Sequence, residues 1–360
     1  MKEVIYVYNL HEDLQPEDGR RRGFAWIKFS KEDNRMGKKS IFWSSWLLIL
    51  FSGWIFTAES QAQKFLTKPI EFVCHAAPGG GSDIMARMMQ TVIEKEKLCP
   101  QPVAVVNRPG GGGAIAFAYV AGKKGDPHIW LTATTSFLTT PLLGKSKYTY
   151  KDFTPITNLA YDDFLITVRA DSPYKTMKDL IDDAKKKPGQ IKTGGTYAPG
   201  TDALISHMIE KAAGVKFNYI PFKSGGEAMV ALLGGNLDMF YPNPGEALAQ
   251  MEAKKVRILA VASEKRLAGA PDIPTLRELG INAAFQQVRS IAAPKDLPPE
   301  AVRYFEDLFR KLADSKWWRE KYIQENMLTW DYKNSAETGK LWDANNEFCA
   351  RTMKEMGVIK

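Results

Sequence analysis

From Lys68 onward, short β-rich runs alternate with amphipathic stretches, the pattern of a parallel sheet covered on both faces by helices. Residues 70–75 predict a strand that breaks at Pro78, Gly79, Gly80 and Gly81. Ser82 or Asp83 is the expected cap of the next helix, in which Ile84, Met88 and Val92 run beside Met85, Met89 and Ile93 as one apolar face. Residues 103–107 predict a second strand, followed by another glycine run at 109–113 and a small-residue helix at 114–121. A third strand, 129–133, ends in the polar cluster Thr134, Thr135 and Ser136.

After the apolar run 164–168 the series starts again. Thr176 and Asp179 have the spacing of a capping box, opening a helix that stops at Pro188 and Gly189. Strands are expected at 191–194, 217–220, 237–240 and 257–261, helices at 202–213 and 227–233, and a turn through Tyr197, Gly200 and Thr201. From Pro298 the pattern is helical to the end, and Trp317, Trp318, Trp330 and Trp342 are expected to pack helices together. Two βα series and a helical tail predict an α/β protein of two lobes, residues 63–168 plus 290–360 and residues 169–289.

The first 62 residues follow another rule. Met36-Gly37-Lys38-Lys39 precedes the apolar run 41–56, and Ser60 and Ala62 place small residues before a cut after Ala62, the anatomy of a bacterial secretory signal. A membrane anchor needs roughly 20 apolar residues; this run is shorter and carries Ser44, Ser45, Ser52 and Gly53. Residues 36–62 are therefore read as a cleaved signal peptide, with translation starting at Met36 and residues 1–35 lying outside the native chain.

Composition narrows the class. Hydrophobic residues make up 44% of the 360, too many for a disordered or collagen-like chain and enough for two ordinary cores. Residues 1–62 carry nine basic and eight acidic side chains, so the exported part keeps +7 of the formal +8. Such a surplus attracts anions without separating nucleic acid from small acids. Residues 5–10 and 22–29 resemble the RNA-contacting strands of an RRM, but the gap between them is too short for the intervening helix and strand. Nucleic acid is not an expected partner. Cys74, Cys99 and Cys349 are too sparse for a disulfide scaffold or a cysteine-built zinc site. In an oxidising compartment they leave one bridge plus one buried thiol open.

The glycine runs carry the candidate chemistry. Successive N–H groups in a glycine turn, leading into a helix N-terminus, point one way and favour an anion. Residues 78–83 and 109–114 both have this composition, and the turn from Tyr197 to Asp202 matches them in the second series. Together they predict a cleft that grips carboxylates from both sides. Enzyme motifs fail by contrast. Neither glycine run continues into G-K-[ST], and the G-x-G-x-x-A at 111–116 lacks an acidic residue about 20 positions on. Ser172 and Lys175 have an S-x-x-K spacing, but Pro173 and the cap at Thr176 place them in a loop. His75, His128 and His207 are neither in metal spacing nor beside a nucleophile, so no catalytic residue, metal or cofactor is expected.

The ordered set Ala77-Pro-Gly-Gly-Gly-Ser-Asp83 with Arg87, Val106-Asn-Arg-Pro-Gly-Gly-Gly-Gly113, Lys151-Asp-Phe-Thr-Pro-Ile156 and Ile220-Pro-Phe-Lys223 resembles the Bug-type receptors of tripartite tricarboxylate transporters. Leu232-Leu-Gly-Gly-Asn-Leu-Asp238, Val256-Arg-Ile-Leu-Ala-Val261 and Pro271-Asp-Ile-Pro-Thr275 extend the likeness over residues 69–360. The resemblance implies a periplasmic solute-binding receptor with the two-lobe, Venus-flytrap (type II periplasmic-binding-protein) fold and a helical C-terminal tail. It implies a small organic carboxylate as ligand, a large and a small membrane subunit as partners, and a monomer. Carried onto this chain, the ligand loops are Pro78, Gly79, Gly80, Gly81, Ser82 and Asp83 with Thr134, Thr135 and Ser136, and opposite them Tyr197, Gly200, Thr201 and Asp202, with Lys223 and Arg289.

Four positions depart from the family pattern. Cys74-His75-Ala76 stands where relatives carry apolar residues, residues 135–140 lack a histidine common there, and Phe222 replaces a tyrosine. Gln287-Val288-Arg289 replaces a Trp-Arg-Gly pattern, leaving Arg289 to pair with a second ligand carboxylate or with a hinge carboxylate. The other classes left open are a hydrolase or lyase using the same cleft, and a ligand sensor for a membrane signalling protein.

Overall fold

The computed structural model describes residues 65–196, 200–222 and 224–360. The expected signal peptide and 1–35 extension lie outside them, as do Tyr197 and Lys223. In chain order the elements are β1 (Ile70–Cys74), α1 (Gly81–Lys95), β2 (Val103–Asn107), α2 (Ala114–Ala121), β3 (Ile129–Ala133), α3 (Thr135–Leu142), β4 (Phe153–Asp162) and β5 (Leu165–Arg169). They continue with α4 (Met177–Lys186), β6 (Lys192–Thr196), α5 (Thr201–Ala213), β7 (Asn218–Phe222), α6 (Gly225–Leu233), β8 (Met239–Phe240), α7 (Pro244–Glu252) and β9 (Val256–Val261). The last are β10 (Gln287–Pro294), α8 (Pro299–Asp314), β11 (Thr329–Lys333) and α9 (Ser335–Glu355).

These strands form two sheets, ordered β11-β4-β10-β3-β1-β2 and β7-β6-β8-β5-β9. Both are mixed rather than wholly parallel. β1, β2 and β3 run parallel, whereas β10 is antiparallel to β3 and β4, and β11 is antiparallel to β4. In the second sheet β6 is parallel to β7 and β8, and β5 is antiparallel to β8 and β9. The reversals come where the chain passes from one sheet to the other, since a strand entering from the neighbouring sheet need not follow a helical crossover. Leu165 to Val168, placed with the first lobe by the sequence, pair in the second sheet, and Gln287 to Arg289, placed with the second, pair in the first.

The central strands of each sheet carry a core on either face, adjacent residues pointing opposite ways. Phe72 packs with Met85, Met89, Trp130, Phe305 and Phe309, while neighbouring Val73 packs with Phe117, Phe137, Phe153 and Trp342. In the second sheet Ile166 joins Leu204, Met239 and Tyr241, and Leu165 joins Met229, Leu232 and Phe240. The core of α9 is divided: Trp342 lies in the first sheet's core, Cys349 and Met353 in the second's.

Several local expectations change. The first helix starts at Gly81 with Gly80 as its cap, two residues earlier than a cap at Ser82 and three earlier than a cap at Asp83 would allow. The C-terminal region is not helical throughout, because β11 adds an edge strand to β4. Trp318 and Trp342 are fully buried, but Trp317 and Trp330 are well exposed. Lys95 Nζ sits 4.1 Å from the Trp317 ring centroid, and Arg319 stacks at 3.7 Å on Trp330. Cys74, Cys99 and Cys349 are all free thiols. Among the described residues no helix is long and apolar enough to cross a membrane.

Candidate functional site

A cleft of about 540 Å³ opens at the carboxyl ends of strands from both sheets, where α/β proteins ordinarily hold ligands. On the first side the chain leaves β1, turns through Gly79 at φ +80° and enters α1 behind Gly80. A glycine cap has no side chain to occupy the leading N–H groups of the helix. The loop is held by Asp83, which accepts from Gly79 N–H at 2.9 Å, Arg87 Nε at 3.0 Å and Asn107 Nδ2 at 2.8 Å. Burial pulls this carboxyl up, but the Arg87, Gly79 and Asn107 bonds outweigh it and hold it below the usual range.

The second side repeats the device. Gly200 caps α5, and Asp202 in its first turn reaches back to accept from the Thr196 N–H and, at 2.9 Å, from Thr196 Oγ1. Here burial dominates: it pushes the Asp202 carboxyl up to about 7 against the Thr196 bonds, with Glu246 adding to the rise. A third helix, α6, begins beside the cleft at Gly225, and a Cβ there would stand 2.6 Å from both Glu246 carboxylate oxygens. Burial, then the charge of Asp162, raise Glu246 as well.

Arg289, near the start of β10, is buried and paired with Asp162, the last residue of β4. Of the two pairings left open for this arginine, the structure therefore holds the one with a carboxylate at the crossover. The guanidinium lies so close to α1 that a Cβ on Gly81 would be 2.7 Å from Nη2. One Asp162 oxygen and Arg289 Nε lack partners among the described residues.

Gly79, Gly80, Gly81, Ser82, Thr134, Ser136, Gly200, Thr201, Asp202 and Arg289 all line this cleft. Pro78, Asp83 and Thr135 do not; Asp83 serves the loop from behind, and Thr135 is buried in the first turn of α3. The second glycine run also stays outside. Gly110 to Gly113 all have positive φ, Gly112 O accepts from Thr140 Oγ1 at 2.8 Å, and a Cβ on Gly113 would strike Phe117. That run is a packing turn, not an anion cradle.

Sequence reasoning passed over Asp162, Asn243, Glu246, Gln287, Tyr322 and Asn326, which line the cleft too. For Glu246 a signal existed: Asn243 and Glu246 form a capping box at the start of α7, with Pro244 in its first turn. Asp162 and Tyr322 come together only through the fold. Among the described residues no cluster of three or more His, Cys, Asp or Glu could hold a metal ion.

A family model described as the tripartite tricarboxylate transporter family receptor matches residues 85–358. The chain is 33% identical over 303 residues to a UPF0065 protein from the gbd 5' region of Cupriavidus necator, covering 84% of this chain and 89% of that one. It is 26% identical over 250 residues to BugT of Bordetella pertussis, covering 68% and 76%. Among solved structures it is similar to a TctC solute-binding protein from Polaromonas, with TM-score 0.69, 30% identity and coverage of 81% and 99%. The periplasmic binding protein BugD aligns with TM-score 0.70, 27% identity and coverage of 82% and 99%.

Proposed function

The chain belongs to the tripartite tricarboxylate transporter receptor family, and from that premise we propose that it captures a small organic carboxylate in the cleft and passes it to the large and small membrane subunits of such a transporter. The observation that carries the reading is the convergence on one cleft of two glycine-capped helix N-termini, α1 from the first sheet and α5 from the second. Hydrogen bonds to a charged group contribute roughly 1.5–3 kcal/mol each, so three or four from these turns reach much of the roughly −8 kcal/mol of a micromolar complex. The acidic side chains lining the cleft do not defeat this. Asp162 is neutralised by Arg289, and burial drives Asp202 and Glu246 toward their uncharged forms. The protein is proposed to be a monomer without catalytic activity, exported to the periplasm by cleavage after Ala62.

Thermal melting against a panel of mono-, di- and tricarboxylates tests the proposal. At least one acid raises the melting temperature; a ligand at 100 times its Kd adds about 2.7 kcal/mol by mass action. Silence across the acids, with a shift from a sugar or a cationic amine, would overturn it.

A further inference from the structure

His75 stands behind the cleft wall without lining it. Its Nδ1 lies 3.0 Å from the Thr132 carbonyl oxygen and 2.7 Å from Thr132 Oγ1. The carbonyl can only accept, and the hydroxyl oxygen, which also receives the His75 N–H at 3.3 Å, can accept as well, so a proton on Nδ1 satisfies both contacts and leaves Nε2 as an acceptor. Thr134 Oγ1, 3.2 Å from Nε2, therefore donates to it. Loss of hydration first, and the positive Arg289 after it, push the ring down to about 4 against the pull of the Thr132 carbonyl. The ring is neutral near neutral pH, and its contacts favour the Nδ1–H tautomer.

Thr134 lines the cleft as the residue before the first turn of α3, where a threonine hydroxyl ordinarily accepts from a helix N–H. It makes no such bond here. Its single proton is committed to His75, so toward the cleft it offers lone pairs alone. Ser136 Oγ, also on the cleft wall, is 3.3 Å away.

We propose that His75 is a specificity-determining positioning residue: by fixing Thr134 as an acceptor, it selects acids that carry a hydrogen-bond donor, a hydroxyl or an ammonium, beside the carboxylate. The inference rests on the carboxylate reading above. When the ligand's donor bonds Thr134, Ser136 is free to donate to the adjacent carboxylate oxygen. An acceptor and a donor side by side on the wall match the donor and acceptor on neighbouring carbons of an α-hydroxy or α-amino acid. An acid lacking the donor sets oxygen lone pairs against those of Thr134 and leaves that bond unmade.

Calorimetric titration of the protein with matched sets tests this: succinate with malate and aspartate, glutarate with 2-hydroxyglutarate and glutamate, phenylacetate with mandelate and phenylglycine. The donor-bearing member of a bound set binds roughly tenfold tighter than the plain acid, and whether the hydroxy or the amino form gains identifies the donor. His75→Phe keeps a ring against Phe117, whose centroid is 5.9 Å away, but removes Nε2. The variant's preference falls to within about twofold, while the plain acid binds no more weakly than before. Thr134→Val causes the same loss of preference, and the double variant adds nothing further. Acids that bind wild type without preference overturn this inference and leave the carboxylate reading standing; binding by no acid overturns both. An equal loss of affinity for all members in His75→Phe, with the preference kept, assigns the histidine to structure alone and overturns it too.

Discussion

Asp83 and Asp202 occupy matching places at the starts of two helices, yet their environments separate them. Asp83 is ionised through Arg87 and its N–H partners, whereas among the described residues Asp202 has Thr196 and a neighbouring acid, and burial prevails. The folded chain keeps the Asp202 proton up to about 7, while the unfolded chain releases it near 3.8. The stability this group gives below 3.8 is therefore lost as pH rises through 7. Asp163, raised to about 6 by burial, acts with the same sign. His75, lowered from 6.5 to about 4, acts oppositely: its contribution is present above 6.5 and lost as pH falls through 4. Asp202→Asn keeps an acceptor for Thr196 and removes the titration, so melting temperatures of the variant fall less between pH 4 and 7 than those of wild type. An unchanged slope would show that this carboxyl titrates normally. Both aspartates could be read as candidates from their motifs, but only the fold shows that, among the described residues, Asp83 carries a cation at its side and Asp202 does not.

At the level of elements, the cleft depends on how closely α1 approaches β10. Gly81 has no positive φ to defend; its hydrogen is needed because the Arg289 guanidinium lies against it. Elsewhere a methyl group could push aside the end of a long side chain, but this one is buried and paired with Asp162. Gly81→Ala is expected to weaken acid binding at least tenfold, roughly the worth of one charged hydrogen bond, while circular dichroism remains that of the wild type. Wild-type affinity in that variant would show that Arg289 moves freely. The parallel strands β1, β2 and β3 and the capping box of α4 were legible because each carries a local signal: an apolar run, a glycine turn, or Thr176 with Asp179. β4, β10 and β11 were not. β4 contains Pro155, β10 mixes Gln287, Arg289 and Ser290 into its run, and β11 is a short edge strand with Lys333 at its end, so none shows a clean period. Of the cleft residues missed, these strands deliver Asp162 and Gln287; Asn243 and Glu246 come from the start of α7, and Tyr322 and Asn326 from the stretch before β11.

Over the whole of the described chain, one carboxylate gathers the passages between the sheets. Asp163 follows β4 and accepts from Gln286, just before β10, and from Thr329 of β11, both at 2.7 Å, while its carbonyl accepts from Asn243 at 2.8 Å. Two lobes and a cleft between them could be foreseen from two βα series; this knot could not, since its members are up to 166 residues apart. Together with α9 it predicts that the lobes unfold as one. Calorimetry should show a single transition, and Trp342→Ala, a change in the first sheet's core alone, should lower all of it by about 3–5 kcal/mol. Two separable transitions, with only one displaced, would count against the coupling.

The divided core of α9 also bears on how tightly the cleft can hold anything. The helix has 21 residues, a rod of about 31 Å, sunk at Trp342 in one core and at Cys349 and Met353 in the other. The lobes can twist about such a torsion bar, but they cannot drift apart without dragging a buried side chain into water. The expected consequence is a narrow open ensemble, with little freedom to surrender on closing. On the proposed function, part of the affinity would then come from a helix that contributes no residue to the cleft wall.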